Sequence, residues 1–367
     1  MKRAADMVAS PAVVSWLAAR VAVLGALGLS RFITTELGAQ ATGGRTASGL
    51  LGWDASWYDR ITALGYADLP SEALRFFPLL PLLARVPDLF LPSGLAVLLV
   101  ANVAALGAAV LLERLVGLET GDAGMAARAV WFLALFPSAF VLVMGYAESL
   151  FLVAVIGGML ALRTQRWWWA AAAGLAAGLA RPLGVVFALP ALIEVLRDRR
   201  GATGREGAAR VAAVASPVLG AALYLAWVGW RFGDALLPLQ VQQEAGRRGG
   251  VVDPVSRIVQ AGRELASGDA LGSGLHLPWA LLFIVLVGVC FRRWPVSYGA
   301  FAAVLVVVAL SASNLDSLER YGLGAFPLVL ATASLTRHPS VERFALTAAA
   351  ATMVSYATLA FLGAYVP

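Results

Sequence analysis

Apolar residues in this chain run in blocks of membrane length, without the alternation of a half-buried strand or the one-sided stripe of a soluble helix. Eleven such segments stand out, near residues 12–30, 93–113, 127–144, 146–162, 167–180, 183–196, 208–229, 276–291, 295–311, 322–336 and 343–364. Short polar breaks separate them, apart from two longer stretches at 31–92 and 230–275. Pro137 and Met144-Gly145 interrupt the run from 127 to 162 and predict a hairpin, not one long helix. Residues 78–92 fit a short, Pro-limited re-entrant or interfacial helix. The pattern predicts an all-α polytopic membrane protein, a single transmembrane domain over 1–367 with about eleven spans.

Composition agrees. Hydrophobic residues make up 60% of the chain and charged residues 14%, and the mean hydropathy is +0.79. A soluble domain would carry about a quarter charged residues. Cys290 is the single cysteine, so no internal disulfide forms, and His276 and His338 stand too far apart to suggest a metal motif. No metal or other cofactor is expected. Lys2 is the only lysine, so no Gly-Lys pair for a Walker A loop exists. The formal charge of +6 rests on arginines placed between apolar segments, which suits cytoplasmic loops and lipid phosphates better than nucleic acid.

Arginine placement sets an orientation. With the N-terminus cytoplasmic, the inner loops hold Arg114 and Arg128, Arg163 and Arg166, Arg197 through Arg210, Arg292 and Arg293, and Arg337 and Arg343. Lys2 and Arg3 precede the first segment, and the small-residue pattern Ala39-Gln40-Ala41 lies too far beyond it for a signal peptide, so that segment is read as a retained span. The first extracytoplasmic loop is then 31–92 and the second large one 230–275. Asp54, Asp59, Glu148, Arg181, Gln240, Gln243, Asn314, Asp316, Glu319 and Arg320 all fall on the outer face. Glu148 and Arg181 have almost no loop to solvate them, and ionisable residues at membrane depth mark functional sites. A shared extracytoplasmic site at the cell membrane is expected.

The first loop carries the candidate chemistry. Trp53, Asp54, Trp57, Tyr58 and Asp59 interleave carboxylates with aromatic rings, the composition of a sugar pocket built on stacking and hydrogen bonds, although an aromatic belt at the membrane surface reads the same way. Trp167-Trp168-Trp169 beside Arg166 reads as an interface anchor. Gly174 and Gly178 read as a small-residue packing face.

Over most of its length the chain resembles the PIG-V family of mannosyltransferases, of the multi-spanning GT-C class. The similarity is carried by Trp53-Asp54-x-x-Trp57-Tyr58 with Gly65-Tyr66 and Phe76-Phe77-Pro78-Leu79-x-Pro81, and by Tyr146-x-Glu148-Ser149-Leu150-Phe151. It continues in Arg181-Pro182-x-Gly184, in Phe232-Gly233-Asp234 with Gln240 and Gln243, and in Glu319-Arg320-Tyr321 with Phe326-Pro327-Leu328. A paired acidic motif common in that class is absent, since Asp54 and Asp59 stand five apart, and metal coordination by an adjacent pair is not expected.

The resemblance implies a polyprenyl-phosphate mannose donor and inversion by a single displacement. Asp54 is the candidate general base. Arg320, then Arg181, are the candidates for the leaving phosphate. Asp59, Glu148, Trp53, Trp57, Tyr58, Gln243 and Tyr321 are candidate substrate contacts. The acceptor is a glycolipid, lipoglycan or protein; the composition, rich in Ala, Gly and Arg, suits a GC-rich bacterium and so an envelope acceptor. Two alternatives stay open, another lipid-linked sugar and a lipid-sugar flippase.

Overall fold

The computed structural model describes residues 10–37, 48–198, 201, 204–244, 248–268 and 273–365. The expected positions Lys2, Arg3, Ala39-Gln40-Ala41, Arg199 and Arg200 lie outside these. The described chain is almost wholly helical. Its first half comprises α1 (Pro11–Thr35), α2 (Asp54–Leu64), α3 (Leu79–Asp88), α4 (Ser93–Thr120), α5 (Ala123–Ala134), α6 (Glu148–Arg163) and α7 (Trp167–Ala180). The second half adds α8 (Ala188–Arg197), α9 (Gly204–Phe232), α10 (Leu237–Gln242), α11 (Pro254–Ala266), α12 (Leu277–Arg293), α13 (Val296–Leu310), α14 (Leu318–Gly324), α15 (Pro327–Leu335) and α16 (Pro339–Leu362). Four of them, α1, α4, α9 and α16, are long and apolar enough to cross a membrane; α5 and α13 are shorter apolar helices.

Proline decides several of the breaks. Arg181, held extended at φ −158° and ψ 152°, precedes Pro182, so α7 stops at Ala180 and a 3-10 turn over Pro182–Phe187 leads into α8. The single segment expected at 183–196 is therefore a turn and a helix. Pro327 likewise divides the expected 322–336 segment into α14 and α15. The run 127–162 does fold back on itself, through a 3-10 turn at Ala139–Leu142. Both long stretches between apolar segments, 31–92 and 230–275, contain helices: α2 and α3 in the first, α10 and α11 in the second.

Close backbone approach locks the middle of the bundle. A Cβ at Gly178 would collide with the carbonyl oxygen of Pro217, and one at Gly220 with that of Leu175. The Gly174 and Gly178 face of α7 thus packs directly on α9. At one end of the bundle, Arg163 of α6 donates to Glu119 at 2.6 Å and to Glu194 at 3.0 Å. Ser297 and Tyr298 donate to the same two carboxylates, at 2.6 and 3.0 Å. This polar knot ties α4, α6, α8 and α13. The opposite end holds the candidate site.

Candidate active site

Asp54 is the first residue of α2 and Glu148 the first of α6, so each carboxylate sits at the positive end of a helix. The Asp54 backbone N–H donates to the Tyr146 hydroxyl at 3.3 Å, which ties the start of α2 to the residues before α6. Trp53, just before Asp54, takes φ 58°, and Ser317, just before α14, takes φ 66°. For side chains other than glycine this is a costly backbone region, and both instances lie immediately before a helix that presents a charged residue to the site.

The charges form one chain. Arg320 Nη1 donates to Asp54 Oδ2 at 2.6 Å, and its Nε lies 3.3 Å from Glu148 Oε1. Arg181 pairs with the same Glu148 oxygen. Arg75 approaches the other Asp54 oxygen at 3.4 Å and Gln242 at 3.5 Å. Burial would push the Asp54 carboxyl up, but Arg320, Arg75 and Arg181 outweigh it and hold the group below its ordinary range. Tyr58 behaves oppositely: burial, then the nearby Glu148 carboxylate, push its hydroxyl well up, so it stays a neutral donor.

These residues line a cavity of about 440 Å³ together with Tyr58, Phe76, Gln243, Arg248 and Tyr321. Arg248 donates to the Tyr321 hydroxyl at 3.2 Å and to the Val308 carbonyl, and its guanidinium lies 4.8 Å from the Tyr321 ring centroid. Its segment is pinned by Ser313, which donates to the Arg248 carbonyl at 3.0 Å, and by a bridge from Val251 to Ala312. The lining holds four arginines, Arg75, Arg181, Arg248 and Arg320, against two carboxylates, Asp54 and Glu148. An excess of two positive charges faces the cavity, which suits an anion.

Seven expected site residues meet here: Asp54, Tyr58, Glu148, Arg181, Gln243, Arg320 and Tyr321. Three others do not line the cavity. Asp59, five residues after Asp54, points about 140° away from it around α2; Trp53 precedes the helix at φ 58°, and Trp57, on the flank of the Asp54 face, packs against Phe76. Trp53 donates its indole N–H to the Ala360 carbonyl at 2.9 Å. Trp57 stacks on Phe76 at 5.7 Å, under Arg60. Asp59 accepts from the Ser93 hydroxyl at the start of α4.

Glu319 and Gln240 also turn away from the cavity. Glu319 is fully buried behind Arg320, where His276 Nδ1 and the Tyr365 hydroxyl each meet its carboxylate at 2.9 Å. Gln240 donates to Asp234 at 3.0 Å. The backbone N–H groups of Arg320 and Tyr321 both bond the Ser317 carbonyl, so α14 offers no free N–H at Arg320. Arg75 and Gln242 were missed from sequence. Arg75 stands one residue before the Phe76-Phe77-Pro78 block, the only signal that would have found it. Among the described residues no group of three or more His, Cys, Asp or Glu side chains is arranged to hold a metal ion.

Neither a family model nor a curated protein matches the chain.

Proposed function

We propose that the chain is an inverting membrane glycosyltransferase of the PIG-V kind, a polytopic protein of about eleven spans with its N-terminus cytoplasmic and its site on the extracytoplasmic face. It moves mannose from polyprenyl-phosphate mannose to an envelope glycolipid, lipoglycan or protein. The observation that carries the reading is the Asp54 carboxylate, gripped by Arg320 and Arg75 on the wall of a cavity with surplus positive charge. A base and a set of phosphate-binding forks within one small space is what transfer from a sugar phosphate needs. The choice of mannose rests on the motif resemblance.

The acceptor oxygen attacks the anomeric carbon while its proton passes to Asp54. The bond from that carbon to the phosphate oxygen breaks, its electron pair leaving with the polyprenyl phosphate, and the configuration inverts. Asp54 held by two arginines is ionised but weakly basic. A donor phosphate that draws Arg320 and Arg75 toward itself weakens both ion pairs and raises the basicity of Asp54 when the substrate arrives. Arg248, which has no carboxylate partner among the described residues, is the arginine most available to meet that phosphate first.

The test is incubation of purified protein with labelled polyprenyl-phosphate mannose and a panel of envelope glycolipids. Transfer, or slow donor hydrolysis without acceptor, supports the reading. Movement of the lipid across a vesicle bilayer with no bond cleavage would replace it with a flippase.

A further inference from the structure

A second pair of cavities lies away from the Asp54 site. Along α4, α6 and α7 runs an apolar groove of about 730 Å³, floored by small residues that include Ala154, Gly157, Ala172 and Ala176. It extends along α6 from Leu150 to Thr164, a rise of about 21 Å at 1.5 Å per residue, most of the thickness of a bilayer core. At the end remote from Asp54 it reaches Arg114, Arg166 and Trp169. Arg166 and Trp169 also line an adjoining chamber of about 480 Å³ with Arg205, Glu206 and the start of α7.

Charge in this region is one-sided. Arg114, Arg166 and Arg205 are all exposed, and none has an ion-pair partner among the described residues. The one carboxylate lining the chamber, Glu206, is engaged by Arg210 at 2.7 Å. Helix α7 begins there without a side-chain cap. The Trp167 indole N–H, in a side chain 5% exposed, has no hydrogen-bond partner. Trp168 and Trp169 are 52% and 70% exposed, as aromatic anchors at a membrane surface are.

A long apolar slot joined to a chamber with unneutralised arginines has the shape and chemistry of one lipid. We propose that this groove is a binding site for an anionic phospholipid, whose phosphate head is held by Arg166 and Arg205 with Arg114 nearby, and whose chain lies between α4, α6 and α7. The occupant comes from the leaflet opposite the Asp54 cavity, so it is distinct from the proposed sugar donor, and the inference does not rest on the transferase reading. Free inorganic phosphate would satisfy the arginines and leave the apolar slot empty, whereas the continuity of slot and chamber commits the site to a lipid.

The experiment is native mass spectrometry and thermal unfolding of the delipidated full chain with dioleoyl phosphatidylglycerol, dioleoyl phosphatidylcholine or inorganic phosphate. Phosphatidylglycerol should bind and stabilise more than phosphatidylcholine, and phosphate should do neither. Arg166→Gln and Arg205→Gln, both at exposed positions, should each weaken phosphatidylglycerol binding about fivefold. Ala172→Leu, at an exposed position on the groove wall, should lower affinity for both lipids and keep the preference for the anionic head. Equal binding of the two lipids, or phosphatidylglycerol binding unchanged in both arginine variants, would overturn the proposal. So would stabilisation by phosphate alone matching that by lipid.

Discussion

Asp54 and Arg320, separated by 266 positions in the chain, meet in a 2.6 Å ion pair that joins the start of α2 to the C-terminal helices. Each is also engaged elsewhere, Asp54 by Arg75 and Arg320 by Glu148, so the pair is the centre of a network rather than an isolated bridge. Asp54→Asn keeps the side-chain outline and removes the base. Transfer should fall a hundredfold or more, with donor binding and the fold retained. Wild-type turnover by this variant in a purified assay would remove Asp54 from the mechanism.

Arg320→Lys tests the fork. A guanidinium reaches Asp54 and Glu148 from separate nitrogens, and an ammonium on a flexible stem does not reproduce that geometry. The expected result is a fall of about tenfold or more in kcat, whereas Arg248→Lys should act mainly on KM, because Arg248 holds no carboxylate among the described residues. Steady-state kinetics on both variants decide it. Full rate and affinity in Arg320→Lys would pass the phosphate role to Arg181 or Arg248.

Because Asp54 is held below its ordinary range, the sign of its pH effect follows. Its ion pairs contribute fully above the unfolded value of about 3.9 and are lost as pH falls through the lower folded value. For the free enzyme, kcat/KM should therefore stay level on the acid side down to about pH 4. Once bound phosphate loosens the arginines, the acid limb of kcat should appear at higher pH than that of kcat/KM. Coincident limbs in the two profiles would count against donor-induced activation of Asp54.

Orientation is open to chemical labelling. In a Cys290→Ala background, cysteines at Ser48 or Ser313 should react with an impermeant thiol reagent on intact cells, and one at Arg197 should not. All three positions are exposed, so silence reports membrane sidedness and not burial. The reverse pattern would move the Asp54 cavity to the cytoplasm.

Removing Arg163 should unfold the other end of the bundle. It lies between Glu119 and Glu194, both largely buried, and Arg163→Ala leaves two carboxylates facing each other without a counter-charge. The loss should be about 3–5 kcal/mol, seen as a lower melting temperature in detergent. A melting temperature within a degree or two of wild type would mean that Ser297 and Tyr298 hold the carboxylates unaided.

The sequence by itself determined the helical, membrane-directed character of this protein, because apolar runs of spanning length and arginines between them follow from solvation alone. It also marked the break at Pro182, between the expected segments 167–180 and 183–196, but not the one at Pro327, which falls inside the expected segment 322–336. It singled out Glu148 and Arg181 as ionisable residues too poorly solvated by their neighbours to be idle, and Asp54 and Arg320 through the motifs that hold them. Only the tertiary structure decided which of these meet. Asp54 and Tyr58 enter the cavity, whereas Trp53, Trp57 and Asp59 are engaged by α16, Phe76 and α4, and that division depends on where those partners stand. Gln242 and Arg248 join the site by packing across long separations, and no local pattern encodes such a meeting. Glu319, next to Arg320 in sequence, is turned to His276 and Tyr365, while its two successors on α14, Arg320 and Tyr321, line the cavity; partners supplied from outside α14 make that division.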